Sequence, residues 1–374
     1  VQSRMLQCAS VYGRRSFGTL VEQAKARRKL HRDMVVQRQV GNVRISAIRC
    51  TNSLQRAQQV WDMDSTQTRL WGDSMAATML YCSFLKGEER VIADLTLPVT
   101  PEQENSTTCN AIRLRAEAIQ VGEVRGYAQY SQVPVVEGDS TLQVQKVLYN
   151  ATAPYSSIIP ACRELGSCGS DMRVQSSWQT FFDNSEQVRT ALQLRTHVQA
   201  SSSADQGSTK VLFSGGIVVQ ALPDSQVMAN SAGASLKEGA LAVISAEEEV
   251  EAISTRLSAL DTYQMERIMT QEGIDAFVDF ATSGINAAAN QDHSSNSNSS
   301  SSSSRETVVD FLCRCSPKQF VNTLRHTPLD LLELQELADL AKRQELHFRC
   351  QFCNSRHSVD YEDMHQVVEE RTQG

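Results

Sequence analysis

LCRCSPKQFVNTLRHTPLDLLELQELADLAKRQELHFRCQFC, residues 312–353, is bracketed by two close cysteine pairs: Cys313 and Cys315 at Cys-x-Cys spacing, Cys350 and Cys353 at Cys-x-x-Cys spacing. Each pair reads as its own short loop, and together they supply the four soft thiolates that tetrahedral Zn²⁺ prefers. A site filled by four protein ligands leaves no position open for substrate, so it is structural or regulatory. Metal-bound sulfur is already deprotonated and nucleophilic, and an oxidant that reaches it competes with the metal for the same atoms. Metal binding and oxidation are therefore mutually exclusive. The residues alone admit both a static zinc ribbon and a redox switch.

Around the cysteines, residues 305–365 read as a small C-terminal zinc-binding domain, with Leu329–Leu340 as a helix between the pairs and 366–374 as a tail. A unit of roughly 60 residues is marginal on its own core. Bound zinc contributes on the order of 10–16 kcal/mol in small zinc modules, so removing the metal is expected to unfold it. His326, His347, His357 and His365 lie nearby and read as surface or packing residues, because four cysteines already complete the ligand set.

Residues 290–304, NQDHSSNSNSSSSSS, bury too little apolar surface to repay ordering entropy and read as a flexible insertion. Residues 231–289 read as an amphipathic helical linker. Ser245 and Glu248 form a capping box, and Val250, Ile253, Leu257, Leu260 and Ile268 follow at helical spacing. That stripe needs a surface to rest on, most simply the sheet of the preceding domain.

Residues 33–230 carry mixed patterns. Trp71–Leu85 is apolar at helical spacing and stops at Gly87, which predicts a core helix. Val91–Val99, Ile112–Ala116, Leu142–Tyr149, Leu192–Val198 and Lys210–Leu222 read as strands, the last two joined as a hairpin by a Ser-rich turn. The fold class is α+β: a large β-rich N-terminal domain with packed helices, a helical linker and the small cysteine-bearing domain. Gly215-Gly216 precedes a strand and reads as close strand packing. No phosphate-binding loop occurs, and His31-Arg32-Asp33 lacks the Gly-rich loop that would give it a kinase-like role.

The chain is 41% hydrophobic and 21% charged with net charge −7, a balance that argues against nucleic acid as a partner. No apolar run approaches the roughly 20 residues needed to span a bilayer. Ten cysteines without a secretory h-region point to a reducing compartment. Cys50, Cys82, Cys109, Cys162 and Cys168 read as reduced, part-buried thiols, with an auxiliary redox pair the other reading of Cys162 and Cys168. Residues 1–32 are Arg-rich with Glu22 as their single acid, the pattern of a transit peptide. This predicts a mitochondrial location, the cytoplasm being the alternative.

VDFLCRCSPKQFVNTL from Val309 to Leu324 and LHFRCQFCNSRHSVDYEDM from Leu346 to Met364 resemble the two cysteine motifs of the redox-regulated chaperones of the thirty-three-kilodalton heat-shock protein family. GGIVVQALP from Gly215 and FFDNSEQVRT from Phe181 resemble segments of its large domain. The resemblance implies an ATP-independent, non-enzymatic holdase, idle when reduced and zinc-bound and activated by oxidants. It implies one Zn²⁺ held by Cys313, Cys315, Cys350 and Cys353, disulfides Cys313–Cys315 and Cys350–Cys353 after oxidation, a linker that unfolds to grip unfolded clients, and a homodimer when oxidised. Two other readings compete: a thiol-disulfide oxidoreductase using Cys350 and Cys353, and a passive zinc-ribbon interaction module.

Overall fold

The computed structural model describes residues 31–99, 110–131, 140–161, 172–199, 209–223, 245–260, 262–283, 285, 304–344 and 346–373. The leader through residue 30, the Ser/Asn tract through residue 303, and Cys109, Cys162 and Cys168 lie outside the described residues.

The described residues begin with a hairpin, β1 (Met34–Val40) and β2 (Val43–Arg49), followed by α1 (Thr51–Trp61) and α2 (Ser65–Cys82). A capping box between Asp64 and Gln67 starts α2 ahead of the apolar run that announces it in the sequence. Every residue from Leu70 to Cys82 is buried, because α2 lies between two sheets and has no solvent face. Next come β3 (Arg90–Val99), β4 (Asn110–Ile119), β5 (Glu123–Ser131), β6 (Thr141–Val147), β7 (Tyr155–Pro160), α3 (Arg173–Phe181), β8 (Thr190–Gln199) and β9 (Lys210–Ala221). The five strands read from the sequence are present as β3, β4, β6, β8 and β9. Gly215 packs as expected: a Cβ there would stand 2.5 Å from the Ile48 carbonyl oxygen.

The linker region forms α4 (Ala246–Ser258), capped by Ser245 and Glu248 as the sequence indicates, then α5 (Thr262–Arg267) and α6 (Ile274–Thr282). A short strap, β10 (Arg305–Val308) and β11 (Asp310–Phe311), leads to α7 (Pro317–His326), α8 (Leu331–Arg343), β12 (Leu346–Arg349), β13 (Arg356–Val359) and α9 (Tyr361–Gln373).

The first sheet runs β10-β1-β2-β9-β8 and the second β11-β5-β4-β3-β6-β7; every pairing is antiparallel except β11 with β5. One face of the first sheet meets α1 and α2 through Val35, Ile48, Leu194 and Val218. The other face, through Val36, Ile45, Phe213 and Ile217, meets Val250, Ile253, Leu257, Met269, Phe277 and Val278 of the linker. The linker stripe therefore rests on the sheet of the preceding domain. Each fully buried large apolar side chain there contributes roughly 1.5–3 kcal/mol. Polar contacts fix its register: Arg38 reaches Asp275 at 2.5 Å and Asp279 at 2.6 Å, Arg49 donates to the Met269 carbonyl, and the Asn42 N–H donates to Glu249 at 2.7 Å.

The strap ties the two sheets together. β10 adds to β1, the Val309 N–H donates to the Asp33 carbonyl, and β11 adds to β5, with Phe311 edge-on to Trp71 at 5.9 Å. Gly122, at φ +100 in the β4–β5 turn, lets the strap pass; a Cβ there would overlap the Val308 carbonyl oxygen. Asp33, set aside as a catalytic group in the sequence, accepts from the Ser53 N–H and hydroxyl and holds the start of α1.

Phe277→Ala removes a wholly buried ring between linker and sheet, at an expected cost of about 3–4 kcal/mol. Limited proteolysis of the reduced protein is expected to cut first within residues 245–285 in this variant, while the wild type stays protected there.

Candidate metal centre

Cys313 and Cys315 leave β11 on an extended segment whose start is pinned by the Leu312 N–H to the Val124 carbonyl. Cys350 and Cys353 lie in the turn between β12 and β13. The Cys350 N–H donates to the Ser355 carbonyl, the Asn354 N–H donates to the Cys350 carbonyl, and the Phe352 N–H points at Cys350 Sγ from 3.4 Å. Asn354 closes the turn at φ +56, a conformation asparagine tolerates. This turn joins two strands and has no helix N-terminus after it, so it lacks the dipole that activates an oxidoreductase dithiol.

All four sulfurs lie within 4.8 Å of one another, with Cys313 Sγ 3.6 Å from Cys350 Sγ and Cys315 Sγ 3.3 Å from Cys353 Sγ. Tetrahedral zinc with Zn–S bonds near 2.3 Å sets its sulfurs about 3.8 Å apart, so the four side chains fit that ion with small adjustments. The close contacts cross from one motif to the other, as they do in a shared coordination sphere. Cys350 is buried and the other three are half-buried.

Three neighbours surround the sulfurs. His357 Nε2 lies 3.1 Å from Cys315 Sγ, its ring set against Phe320. Arg125, on β5, donates to Cys313 Sγ at 3.7 Å and is itself held by Glu117 at 2.7 Å. Ser355 Oγ lies 3.2 Å from Cys353 Sγ. Such contacts orient ligands and offset thiolate charge. Of the four histidines weighed in the sequence, His357 alone stands at the sulfurs; His365, for example, faces Glu369 on α9. The signal available for His357 was its place four residues after Cys353, on the strand that pairs with β12. Arg125 gave no local signal.

Burial pushes the Cys313 thiol up, against the pull of the Cys315 backbone N–H and the Arg125 guanidinium. Burial and the adjacent thiols push Cys315 up further. Burial opposes ionisation at Cys353 as well, but the Ser355 hydroxyl and N–H and the neighbouring thiols outweigh it and bring Cys353 down to about 7. Elsewhere Cys50 is raised by burial and Cys82 is raised by burial to about 12, which makes both inert packing thiols.

A small core supports the centre: Val321, Leu324, Leu334, Ala338, Leu346, Val359, Met364 and Val367, with Phe320 stacked on Phe348 at 5.7 Å. That core is thin for an independent fold, and a metal or a docking surface has to supply the rest.

A closed, all-sulfur cluster on a two-sheet core could hold a metal ion, and with all four ligand positions taken by protein such an ion would serve structure or regulation, not turnover. The family model described as Hsp33 protein matches residues 34–360, and the chain belongs to that family, whose members are non-catalytic chaperones. The chain is similar to the 33 kDa chaperonin of Bacillus cytotoxicus, 24% identical over 340 residues that cover 88% of this chain and 95% of that one. It is similar to that of Bacillus mycoides at 23% identity, with the same coverage of each chain. The crystal structure of the 33 kDa chaperonin from Thermotoga maritima shares the fold, with TM-score 0.61 and 18% identity over 92% of this chain and all of the other. Family and cysteine cluster together support a redox-linked chaperone role.

In reduced protein stripped of metal, a small unit kept folded by its docking on the large domain is expected to let iodoacetamide alkylate Cys353 first of the four, half-maximally near pH 7, and Cys315 last of the four, whereas an unfolded unit alkylates all four alike, as followed by peptide mass spectrometry. The folded value lies below the free-thiol value of 9.0, so the stability from this ionisation is present above pH 9 and is lost as pH falls through 7.

Proposed function

We propose that this chain is an ATP-independent holdase switched by oxidation. Cys313, Cys315, Cys350 and Cys353 hold one Zn²⁺ in the reduced state and pair as Cys313–Cys315 and Cys350–Cys353 when oxidised. The observation that carries the reading is the convergence of four sulfurs at the end of a strap that also completes the linker-bearing sheet. Zinc bound there would hold the thiolates together and close the small unit. Peroxide takes a thiolate to a sulfenic acid with loss of hydroxide, and the second thiol of the pair displaces water to give the disulfide. Each disulfide withdraws two thiolates from the metal.

The consequence for the rest of the chain follows from connectivity. β11 ends two residues before Cys313, and β10 ends two residues before β11 begins. Unfolding of residues 305–365 frees the strap from both sheets. β1, which carries Met34 and Val36 under the linker, then loses its outer neighbour. The linker, residues 231–289, loosens from the core of residues 33–230, and the apolar surface between them opens to unfolded clients, with the oxidised chain pairing as a homodimer. The basic leader supports a mitochondrial location, checked by import into isolated mitochondria.

Reduced, zinc-loaded protein is expected to leave a thermally unfolded client to aggregate, and peroxide-treated protein to suppress its light scattering at near-stoichiometric ratios without nucleotide. Equal suppression in both states overturns the switch. Zinc retained through peroxide treatment, followed with a chromogenic chelator, assigns the centre to a passive ribbon instead.

A further inference from the structure

The Cys-x-x-Cys turn does more than present sulfur. Its Phe352 projects onto the large domain. The ring lies 4.3 Å from the Arg125 guanidinium, 5.9 Å from that of Arg115 and 6.4 Å from the Tyr127 ring. The Phe352 carbonyl accepts from the Trp61 indole N–H at 3.2 Å, and Trp61 in turn leans on Tyr127 at 6.0 Å. One aromatic ring and the carbonyl of the same residue are thus recognised together.

The receptor half belongs entirely to the core and is held by its own partners. Arg125 is fixed by Glu117 through two nitrogens, Arg115 by Asp94 at 3.0 Å, and Tyr127 leans on Trp61. These contacts do not involve Phe352, so they persist when the ring leaves, which lowers the cost of accepting another. The occupant half hangs between Cys350 and Cys353 and is fastened to the core otherwise by Asn354 Nδ2 donating to the Val60 carbonyl. Release of the sulfurs releases the ring.

We infer that Trp61, Arg115, Arg125 and Tyr127 form a binding site for an aromatic residue of an unfolded polypeptide, and that Phe352 occupies this site as an internal placeholder until the cysteine centre opens. The chemistry selects unfolded chains. A folded partner buries its aromatic rings and pairs its backbone carbonyls, whereas an extended chain offers both at one residue. The guanidinium over the ring and the Tyr127 ring beside it favour Phe and Tyr over aliphatic residues, while the indole donor holds the backbone carbonyl of whichever residue enters. The inference rests on the proposed reading in one respect, that oxidation is what empties the site.

The test uses the full chain and a short glycine-serine peptide carrying a single benzoylphenylalanine, photo-crosslinked and mapped by mass spectrometry. Three samples are compared: reduced zinc-loaded wild type, peroxide-treated wild type, and reduced zinc-loaded Phe352→Ala, which empties the site without touching a cysteine. Labelling at Trp61 and Tyr127 is expected to rise about tenfold over reduced wild type in both other samples, and to be competed by N-acetylphenylalanine amide but not by N-acetylalanine amide. Oxidised protein that suppresses client aggregation while Trp61 and Tyr127 stay unlabelled overturns the site and leaves the holdase standing. Labelling there in reduced Phe352→Ala, with oxidised wild type neither labelled nor suppressing aggregation, upholds the site and overturns the switch. Should Phe352→Ala lose its zinc, the oxidised wild type alone decides.

Discussion

Four thiolates gathered within 4.8 Å repel one another by about 4 kcal/mol per pair at the effective dielectric of a protein surface. The arrangement is tolerable in two ways. Protons can cover most of the sulfurs, which is what the raised thiols of Cys313 and Cys315 beside the ionised Cys353 express. Alternatively, a divalent cation can sit among them and turn mutual repulsion into the strongest attraction in the unit. Everything C-terminal to the strap depends on which of these holds, because the aliphatic core beneath the cysteines is small and the helices around it are largely exposed.

The large domain is built the opposite way. Its first sheet is covered on both faces, by α1 and α2 on one side and by the linker on the other, and its stability is spread over many apolar contacts. No single group decides it. The two halves meet through directed interactions, among them the Glu117–Arg125–Cys313 chain, the Phe352 ring and carbonyl, the Asn354 side chain on the Val60 carbonyl, and the strap. A diffuse structure is thereby coupled to a concentrated one, whose stability rests on four sulfur atoms.

What could be read in advance followed the range over which each signal acts. The cysteine spacing, the Ser245–Glu248 capping box and the period-two runs of β3 and β6 are local, and each appears where the sequence puts it. β1 and β2 were harder to read because sheet faces buried on both sides erase alternation: Val35 and Val36 are both buried, as are Ala47 and Ile48. β5 is interrupted by Gly126, which a Cβ would drive into the Arg115 carbonyl. Arg125 stands 188 residues from the cysteine it contacts, and Trp61 stands 291 from Phe352; only the docking of the two domains brings them together. His357 needed the β12–β13 pairing before its neighbourhood with Cys315 made sense.

β10 is four residues long and charged at its start, and it covers the outer rim of β1. Such a brief strip is cheap to detach, and beneath it lies a row of amides and carbonyls with no other cover. A member of a chaperone family therefore carries, under one removable band, an edge prone to the very pairing that drives aggregation. Under the proposed switch, that rim stays hidden while the thiols are reduced and is bared only once they have met an oxidant.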